Sequence, residues 1–400
     1  MELAKHRASV PPEIPEVQCH GAKQGRVLLV APAPPPYGGM ALQAEKLDKL
    51  LRGEGVAISW LASNFPLPAA LKPLERIPGI RTVLRALLIW PKLWTRADAV
   101  DVVHILAASW TYFFLVVCPA VVTGRLKGKR VVLNYRGGEA GRFFRLFGWA
   151  AAPAFRWADS ITAPSEFLAK VIRERFDVSV SIVPNILDTH IFRFRHRPSI
   201  QPKLLVSRHL EKPYDIESVL RAFAQVQEHY PQSSLWIAGT GSEQQRLRRL
   251  SADWNLRNVR FLGHVAHPDL PAVYDQCDIY LNASRVDNFP GALLEASAAG
   301  LVMVSTAAGG IPFIYEHEKT ALLVEPGNWQ ELAAAVRKVL QNPSLALKMT
   351  TAGALLAHAC DWREVREPLY QAYGFPAKPG WNTTPGEDLT AIGKGVVGCE

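Results

Sequence analysis

Two carboxylates lie eight residues apart in a segment that changes from strand to helix. Residues 277–282 are predicted to form a buried strand, and the alanine- and leucine-rich run after Pro290 is predicted to form a helix. Asp287 then lies in the connecting loop and Glu295 in the opening turns of the helix. The free N–H groups and partial positive charge of a helix N-terminus favour a phosphate or sugar oxygen. The alternative is an ordinary connecting loop with two solvated acids.

Glycine pairs and two cations also follow the ends of predicted strands. Glycines 38 and 39, 239 and 241, and 309 and 310 let the backbone approach a ligand closely. Arg208 and Lys212 would neutralise phosphate charge, and carboxylates would accept hydrogen bonds from sugar hydroxyls. We therefore predict a site for a molecule with a diphosphate and hydroxyl groups. The sequence shows no metal-ligand cluster and no nucleophile–base pair, so charge stabilisation is assigned to Arg, Lys and backbone amides.

These residues are positioned by an alternation of strands and helices that occurs twice along the chain. The apolar run 26–31 is typical of a strand in a parallel sheet covered on both faces. Similar alternation continues to about residue 188, and a second series begins at residue 203. The predicted fold class is α/β, with two Rossmann-like doubly wound domains facing each other across a cleft. The carboxyl ends of both sheets would line that cleft, where such folds bind ligands.

Domain boundaries are predicted from this alternation and from composition. The basic, aperiodic segment 190–201 is the best candidate for a linker. The predicted parts are a leader without signal-peptide character (1–25), an N-terminal acceptor domain (26–195), a C-terminal donor domain (196–360), a helix packing back toward the N-terminal domain (361–374) and a disordered tail (375–400).

Composition bounds the partners and the location of the protein. The chain has 400 residues and a net charge of +9, with its basic residues spread along the sequence. This charge fits a phosphorylated substrate or an anionic membrane surface, and nucleic acid is not expected as a partner. The five cysteines are far apart, which suggests neither a disulfide framework nor a zinc site. We therefore expect a reducing, cytoplasmic environment.

Two segments bear on membrane contact. Residues 105–124 form an uncharged run long enough to span a bilayer. A strand over 102–106 and a proline at 119 shorten that run, so a buried helix is favoured. In residues 72–96, basic and apolar residues alternate at helical spacing, with Trp90 and Trp94 at the end. This pattern suits a helix on an anionic membrane surface, and equally a core-facing helix with a solvated basic face.

Together these motifs resemble those of the retaining GT-B glycosyltransferases of family 4, over about residues 26–373. The resemblance implies that Arg208 and Lys212 bind the donor phosphates and stabilise the leaving nucleoside diphosphate. Asp287 would hold the donor sugar and Glu295 the ribose. The motifs that carry the resemblance are glycines 38–39, segments 158–165, 183–185 and 206–208 with Lys212, glycines 239 and 241, the acid pair and glycines 309–310. The donor-binding residues that it implies are Gly38, Gly39, Gly239, Gly241, His264, Val265, Asn288, Phe289, Pro290 and Gly291.

The sequence departs from the family pattern near the proposed phosphate and sugar contacts. The family usually has two glutamates, and the first is replaced here by Asp287, which is one methylene shorter. Pro213 follows Lys212 where glycine is common, and the arginine–lysine spacing is tighter than usual. Ile186 also stands where glycine is common.

Three residues of the first half are candidates for the acceptor side: His104, Arg136 and Glu139. Arg136 stands where the family often has a histidine. His104 lies on a predicted strand, and a strand histidine is more often a packed structural residue than a ligand contact. Both interpretations of His104 remain open from the sequence.

The resemblance predicts a metal-independent, retaining glycosyltransferase without a cofactor. The donor would be a UDP- or GDP-sugar, and the acceptor a glycan or lipid-linked molecule of envelope assembly at the cytoplasmic membrane face. Peripheral contact with an anionic membrane would involve residues 72–96. The alternatives are a sugar-nucleotide epimerase of the same architecture and an inactive donor-binding partner of another transferase.

Overall fold

The computed structural model describes residues 25–35 and 38–376. The predicted leader and most of the predicted disordered tail lie outside these residues. Phe375, placed in the tail by the sequence, is packed instead. Its N–H donates to the Tyr370 carbonyl at 3.0 Å, and its ring centroid lies 5.2 Å from that of Tyr373.

Two six-stranded parallel sheets carry the two halves of the chain. The first contains β1 (Arg26–Ala31), β2 (Ala57–Ala62), β3 (Val102–Ala107), β4 (Arg130–Tyr135), β5 (Ser160–Ala163) and β6 (Ser181–Ile182). The second contains β7 (Lys203–Ser207), β8 (Ser234–Ala238), β9 (Val259–Gly263), β10 (Ile279–Asn282), β11 (Val302–Thr306) and β12 (Leu322–Val324). Their orders are β2-β1-β3-β4-β5-β6 and β12-β11-β10-β7-β8-β9. The predicted α/β class is confirmed.

Helices connect the strands as parallel crossovers require. They are α1 (Gly39–Gly53), α2 (Pro78–Ala97), α3 (Cys118–Leu126), α4 (Ala140–Trp157), α5 (Glu166–Phe176), α6 (Ile216–His229), α7 (Gln244–Asp253), α8 (Leu270–Asp275), α9 (Gly291–Ala298), α10 (Trp329–Gln341), α11 (Pro343–His358) and α12 (Trp362–Tyr373). Short 3-10 turns cover Ala69–Arg76, Lys212–Tyr214, His267–Asp269 and Ile311–Phe313, and a π-helical turn covers Phe113–Val117.

The two faces of the first sheet bury different helices. Leu28 and Val30 belong to the core under α2, α3, α4 and α5. Val27 and Leu29 alternate with them and pack in a second core with α1 and α12. This division follows from right-handed crossovers, because β1 connects to β2 in one direction along the sheet and the later strands proceed in the other.

The last helix returns to the first sheet. The Arg130 Nε donates to the Ala372 carbonyl at 2.8 Å. At the other end of the helix, the Trp362 indole N–H donates to Glu54 at 3.2 Å. Helix α12 therefore closes one face of the first domain, although the second domain precedes it in the chain.

The segment predicted as a linker is fixed to the second sheet. Arg197 is buried, and its Nη1 donates to the Ala299 carbonyl at 2.7 Å. Its Nε lies 3.1 Å from the Asp278 carboxylate. Burial is the largest influence on Arg197 and lowers its pKa to about 10. A basic residue in an aperiodic stretch is thus a structural anchor, which the sequence did not indicate.

The uncharged run 105–124 divides into the end of β3, the π-helical turn and the first part of α3. Its side chains include the buried Phe113 and Val117 of the first core. Within residues 25–35 and 38–376, none of the helices combines the length and the apolar character that a bilayer span needs.

Candidate active site

We call residues 283–290, between β10 and α9, the central loop. The acid in this loop and the acid in α9 are held in different ways. Asp287 lies between β10 and α9 and accepts a hydrogen bond from the Asn288 N–H at 2.9 Å. Glu295 lies on the inner side of α9 and is only 9% exposed. The Tyr274 hydroxyl donates to Glu295 Oε2 at 3.2 Å, and His267 Nε2 lies 3.4 Å from Oε1. Tyr274 therefore holds Glu295 by a hydrogen bond, and His267 lies beside the carboxylate without a hydrogen bond from its Nε2 among the described residues.

Tyr274 is well suited to donate to this carboxylate. Burial is the main reason that its pKa lies well above the ordinary value, and the negative charge of Glu295 raises it further. The hydroxyl thus keeps its proton at neutral pH. A protonated phenol and a buried carboxylate make a stable donor–acceptor pair.

Arg208 follows β7 and faces Asp287 across the site. Its guanidinium is paired with the Asp287 carboxylate and donates to Ser284 Oγ at 3.2 Å. The Tyr214 ring lies 4.3 Å below the guanidinium carbon, a cation–π contact. Burial alone would lower the pKa of Arg208. The Asp287 charge, with smaller contributions from Tyr280 and Tyr214, outweighs burial and raises it.

Two glycine loops hold these charged residues through backbone packing. Gly239 has a φ of +143°, and a Cβ there would lie 1.9 Å from the Arg208 carbonyl oxygen. Gly309 has a φ of +54°, and a Cβ there would lie 2.1 Å from the Asp287 carbonyl oxygen. Similarly, a Cβ on Gly241 would meet Leu210. These glycines permit loop-to-loop contact, which is a different requirement from close approach to a ligand.

Other predicted donor-binding glycines face open space. Gly38 and Gly39 begin α1, and Gly291 begins α9. A Cβ on any of them would meet no atom within 4 Å among residues 25–35 and 38–376. Both helix starts follow strands of their sheets, so their free N–H groups lie at the cleft edge. These positions leave room for a ligand beside the backbone.

The remaining donor-binding candidates lie at the same edge of the second domain. His264 is exposed and Val265 is half-buried, directly after β9. Asn288 and Pro290 are buried, whereas Phe289 is half-buried. The Ser165 hydroxyl of the first domain donates to Asn288 Oδ1 at 3.3 Å. The loop that carries Asp287 therefore touches both domains.

Lys212 is not brought together with Arg208. It is exposed at the start of a 3-10 turn and makes no hydrogen bond or ion pair to another side chain in the described part of the chain. It lines a groove with Glu211, Asp215 and Glu217. Among the described residues, Lys212 therefore shares none of the side-chain partners of Arg208.

Arg136 is half-buried directly after β4. Its Nε donates to Asn134 at 3.1 Å, and its Nη1 donates to the Asn185 amide oxygen. The Asn185 amide nitrogen donates in turn to the Phe289 carbonyl at 2.9 Å. Burial lowers the pKa of Arg136 to about 10, so the side chain remains a cation at neutral pH. Arg136 therefore connects the first sheet to the central loop.

His104 lies in the interior of the first domain. It has no exposed surface, and its Nδ1 lies 2.7 Å from the Tyr373 hydroxyl of α12. Burial lowers its pKa to about 3, and the Arg136 charge acts in the same direction. A side chain without solvent contact does not line an acceptor site in this structure. The packed alternative for His104 is the one that the geometry supports.

Glu139 is exposed at the start of α4. It accepts a hydrogen bond from the Trp110 indole at 2.8 Å, and Arg142 lies 3.6 Å away. Of the three acceptor-side candidates, Glu139 is exposed, Arg136 is half-buried and His104 is buried.

Comparison with known proteins identifies the family. Two family models match consecutive parts of the chain: Glycosyltransferase Family 4 over residues 37–191 and Glycosyl transferases group 1 over residues 188–355. A glycogen synthase of Mycobacterium tuberculosis is 30% identical over 317 residues, which cover 74% of each chain. The chain belongs to the GT-B glycosyltransferases of family 4. A GDP-mannose-dependent phosphatidylinositol monomannoside mannosyltransferase of the same organism is 25% identical, over 82% of this chain and 92% of the relative.

Solved glycosyltransferase structures share the fold. HepE of Anabaena, in complex with UDP, superposes with a TM-score of 0.69 at 16% identity, over 87% of this chain and 99% of HepE. Sucrose-phosphate synthase of Thermosynechococcus elongatus superposes with a TM-score of 0.72 at 18% identity, over 88% and 98% of the two chains. At these identities the likeness shows the fold alone.

The sequence did not identify three side chains that shape the site of this glycosyltransferase. Tyr274 donates to Glu295 and His267 lies beside it, yet both are more than 20 residues before it and have no local motif. Tyr214 supports Arg208 from below. Its place two residues after Lys212 was a weak signal, since aromatic rings often stack on cations.

Proposed function

We propose that this glycosyltransferase moves a sugar from a UDP- or GDP-sugar to a glycan or lipid-linked acceptor. The observation that carries the proposal is the buried guanidinium of Arg208 beside Asp287, at the carboxyl end of β7. A cation held there, next to the N-terminus of α9, suits a diphosphate. Support for the donor class comes from HepE, whose structures contain UDP and UDP-glucose, and from the relative described as GDP-mannose-dependent.

We assign Arg208 to the donor diphosphate and Glu295 to the ribose hydroxyls. Glu295 is held by the Tyr274 hydroxyl, so its carboxylate is oriented before a nucleotide arrives. Asp287 is assigned to the donor sugar. On this assignment, the diphosphate replaces Asp287 as the anionic partner of Arg208, and the released carboxylate turns to the sugar. Lys212 is proposed to reach the phosphates only after movement of its exposed side chain.

We further propose that transfer retains the anomeric configuration and needs no divalent metal. The acceptor hydroxyl would attack the anomeric carbon on the face that the diphosphate leaves. The bond from that carbon to the phosphate oxygen would break, the new glycosidic bond would form, and the hydroxyl proton would pass to the departing phosphate. Arg208 and the N–H groups of α9 would supply the positive charge that the leaving group requires.

The acceptor side is proposed to lie along the first domain, with Glu139 as its exposed acid and Arg136 as a residue that positions the central loop. A lipid-linked or envelope acceptor, cytoplasmic location and peripheral contact through residues 72–96 belong to the same proposal. Their support is the lipid named for the mannosyltransferase relative and the exposed apolar side chains of α2.

A calorimetric screen of UDP-, GDP- and ADP-sugars tests the donor first. Transfer to envelope lipid and glycan extracts is then measured with and without EDTA, and the product anomer is read by NMR. Arg208→Ala and Glu295→Ala should nearly abolish transfer while the circular dichroism spectrum stays unchanged. Glu228→Ala, at an exposed acid of the same domain, is the control. Full activity of both site variants would refute the assignment.

The same screen separates the alternatives. Conversion of a UDP-sugar in the absence of any acceptor would indicate an epimerase. Tight donor binding without hydrolysis or transfer would indicate an inactive donor-binding partner. Inversion of the anomer, or loss of transfer with EDTA, would overturn only the corresponding part of the mechanism.

A further inference from the structure

An apolar stripe runs along the outside of α2. Its members are spaced three or four residues apart, so they share one side of the helix. They are Ile80, Val83, Leu87, Trp90 and Trp94, all exposed. Leu87 is 65% exposed, whereas Ile89 and Leu93 on the opposite side are buried in the first core. The helix therefore has two apolar sides, and the core covers only one of them.

Helix α4 exposes a second set of apolar side chains, which the sequence did not single out. They are Leu146, Phe147, Trp149 and Trp157. Trp149 is 76% exposed, the highest value among the large exposed apolar residues. Four of the chain's 11 tryptophans thus lie uncovered on α2 and α4. A large apolar surface of this kind marks a docking site.

The two helices belong to one side of the molecule. Helices α2, α3 and α4 all cover the same face of the first sheet, over strands that are neighbours, and α3 lies between the other two. Leu126, at the end of α3, is also exposed. Directly after it, the Lys127 ammonium lies 4.2 Å from the Trp94 ring centroid. We call the exposed apolar residues of α2, α4 and Leu126 the α2–α4 surface.

Positive charge surrounds this surface. Neither α2 nor α4 contains an acidic residue. The exposed acids at their ends, Asp98 and Glu139, are paired with Lys127 at 2.7 Å and with Arg142 at 3.6 Å. Glu75, in the preceding 3-10 turn, is paired with Arg85 at 2.7 Å. The exposed cations on these helices and that turn are Lys72, Arg76, Arg96, Arg142, Arg145 and Arg156.

We propose that the α2–α4 surface docks on an anionic lipid bilayer. Tryptophan and leucine flanked by lysine and arginine, without acids, are the composition of helices that lie in a bilayer interface. A second copy of the chain fits less well, because a twofold contact would press the same cations together. Pro91, inside α2, also disfavours a long coiled-coil seam. The inference extends the proposed membrane contact from residues 72–96 to a second helix.

The docked orientation would place the cleft near the headgroups. In parallel crossovers, helices begin at the carboxyl ends of the strands, and those ends line the cleft. The first turns of α2 and α4 therefore lie at the cleft edge of the surface. An acceptor embedded in lipid would reach the site from this side, a step that rests on the proposed function.

Flotation of the full chain with vesicles tests the docking. We expect binding to vesicles of phosphatidylcholine mixed with phosphatidylglycerol, little binding to phosphatidylcholine alone, and release by high salt. Leu87→Ser and Trp149→Ser should each weaken binding about tenfold, because each removes an apolar side chain from the interface. Leu355→Ser, at an exposed leucine of the second domain, should bind as the unchanged protein does.

A charge pair of variants tests the electrostatic part. Arg145→Ser should weaken binding about fivefold, since one cation near an anionic surface contributes about 1 kcal/mol. Lys348→Ser, at an exposed lysine of the second domain, should have no effect. Equal binding to neutral vesicles, or no binding to anionic ones, would overturn the proposal. So would self-association, measured by light scattering, that Leu87→Ser abolishes.

The separate contribution of α4 has its own test. If Trp149→Ser bound vesicles as Leu355→Ser does, the second helix would be excluded from the surface. Calorimetric donor binding by the same variants keeps this result distinct from the proposed function. We expect it to be unchanged, since none of these residues lies at the donor site. Failure of donor binding in the unchanged protein would count against the proposed function and leave the vesicle result standing.

Discussion

Replacing Asp287 with asparagine separates nucleotide binding from sugar transfer, the two functions that we assign to the Arg208 site. The Arg208 guanidinium is paired with the Asp287 carboxylate, and the two side chains are only 9% and 13% exposed. A nucleoside diphosphate that uses Arg208 must compete with this carboxylate. Asp287→Asn keeps the side-chain shape and removes the charge. We therefore expect the variant to bind UDP or GDP more tightly and to transfer sugar less well.

The magnitude follows from the contacts of Arg208. A hydrogen bond to a charged group contributes about 1.5–3 kcal/mol and a neutral one about 0.5–1.5 kcal/mol. If the asparagine at position 287 binds Arg208 more weakly than the carboxylate by about 1.4 kcal/mol, the dissociation constant of the nucleotide falls about tenfold. Stability should fall, because the Arg208 guanidinium loses its charged partner. In the described part of the chain it keeps the Ser284 hydroxyl at 3.2 Å and the Tyr214 ring beside the new amide. Removing one partner of a buried ion pair costs about 3 kcal/mol.

Calorimetric titration with UDP and GDP measures the first effect, and urea unfolding followed by circular dichroism measures the second. Asp278→Asn is the matched control. Asp278 is a buried acid of the same domain and lies 3.1 Å from Arg197, at the amino end of β10. Its variant should lose stability and keep its nucleotide affinity. A fall in the nucleotide affinity of Asp287→Asn would refute the competition between Asp287 and the diphosphate.

Three further predictions test the packing around the site. Burial holds the pKa of His104 to about 3, below the 6.5 of the unfolded chain. Between about pH 7.5 and about pH 5, His104 should therefore gain a proton in the unfolded chain but not in the folded one. This should lower the unfolding free energy by about 2 kcal/mol more in the unchanged protein than in His104→Asn. Urea titrations of both proteins at the two pH values measure the difference. Tyr274→Phe should weaken nucleotide binding about tenfold in calorimetry by freeing Glu295, with little change in kcat. Gly309→Ala should lower the thermal midpoint and the transfer rate, because its Cβ would lie 2.1 Å from the Asp287 carbonyl oxygen, whereas Gly38→Ala should melt normally.

The succession of strands along the chain and the location of the acids were predictable because they depend on local pattern. Apolar runs such as 26–31 and 302–306 are covered on both faces, so they stand out from the helices between them. Glycines and acids directly after such runs must lie at the carboxyl edge of a parallel sheet. The fold and the approximate place of Asp287, Glu295 and Arg208 follow from these two facts.

The contacts between these residues were not predictable, because they depend on side-chain direction and on distant parts of the chain. Lys212 and Arg208 are four residues apart, yet a 3-10 turn directs Lys212 toward a different groove. His104 lies on a strand of the expected kind, but α12 returns from the end of the chain to cover it. The glycines at 239 and 309 were predicted as positions of ligand approach, but the backbone of Arg208 and Asp287 fills the space beside them.

The central loop is fastened more firmly to the second domain than to the first. Gly309 packs directly on the Asp287 backbone, and the Gly310 N–H donates to the Asp287 carbonyl at 3.0 Å. The first domain reaches the loop through polar groups, chiefly the Asn185 amide that donates to the Phe289 carbonyl at 2.9 Å. Hydrogen bonds between domains can be replaced by hydrogen bonds to water at little net cost in free energy. Domains joined by such contacts are therefore expected to move relative to each other. If the domains separate to admit a donor, Asp287 should therefore move with the second domain, and the Asn185 contact should break.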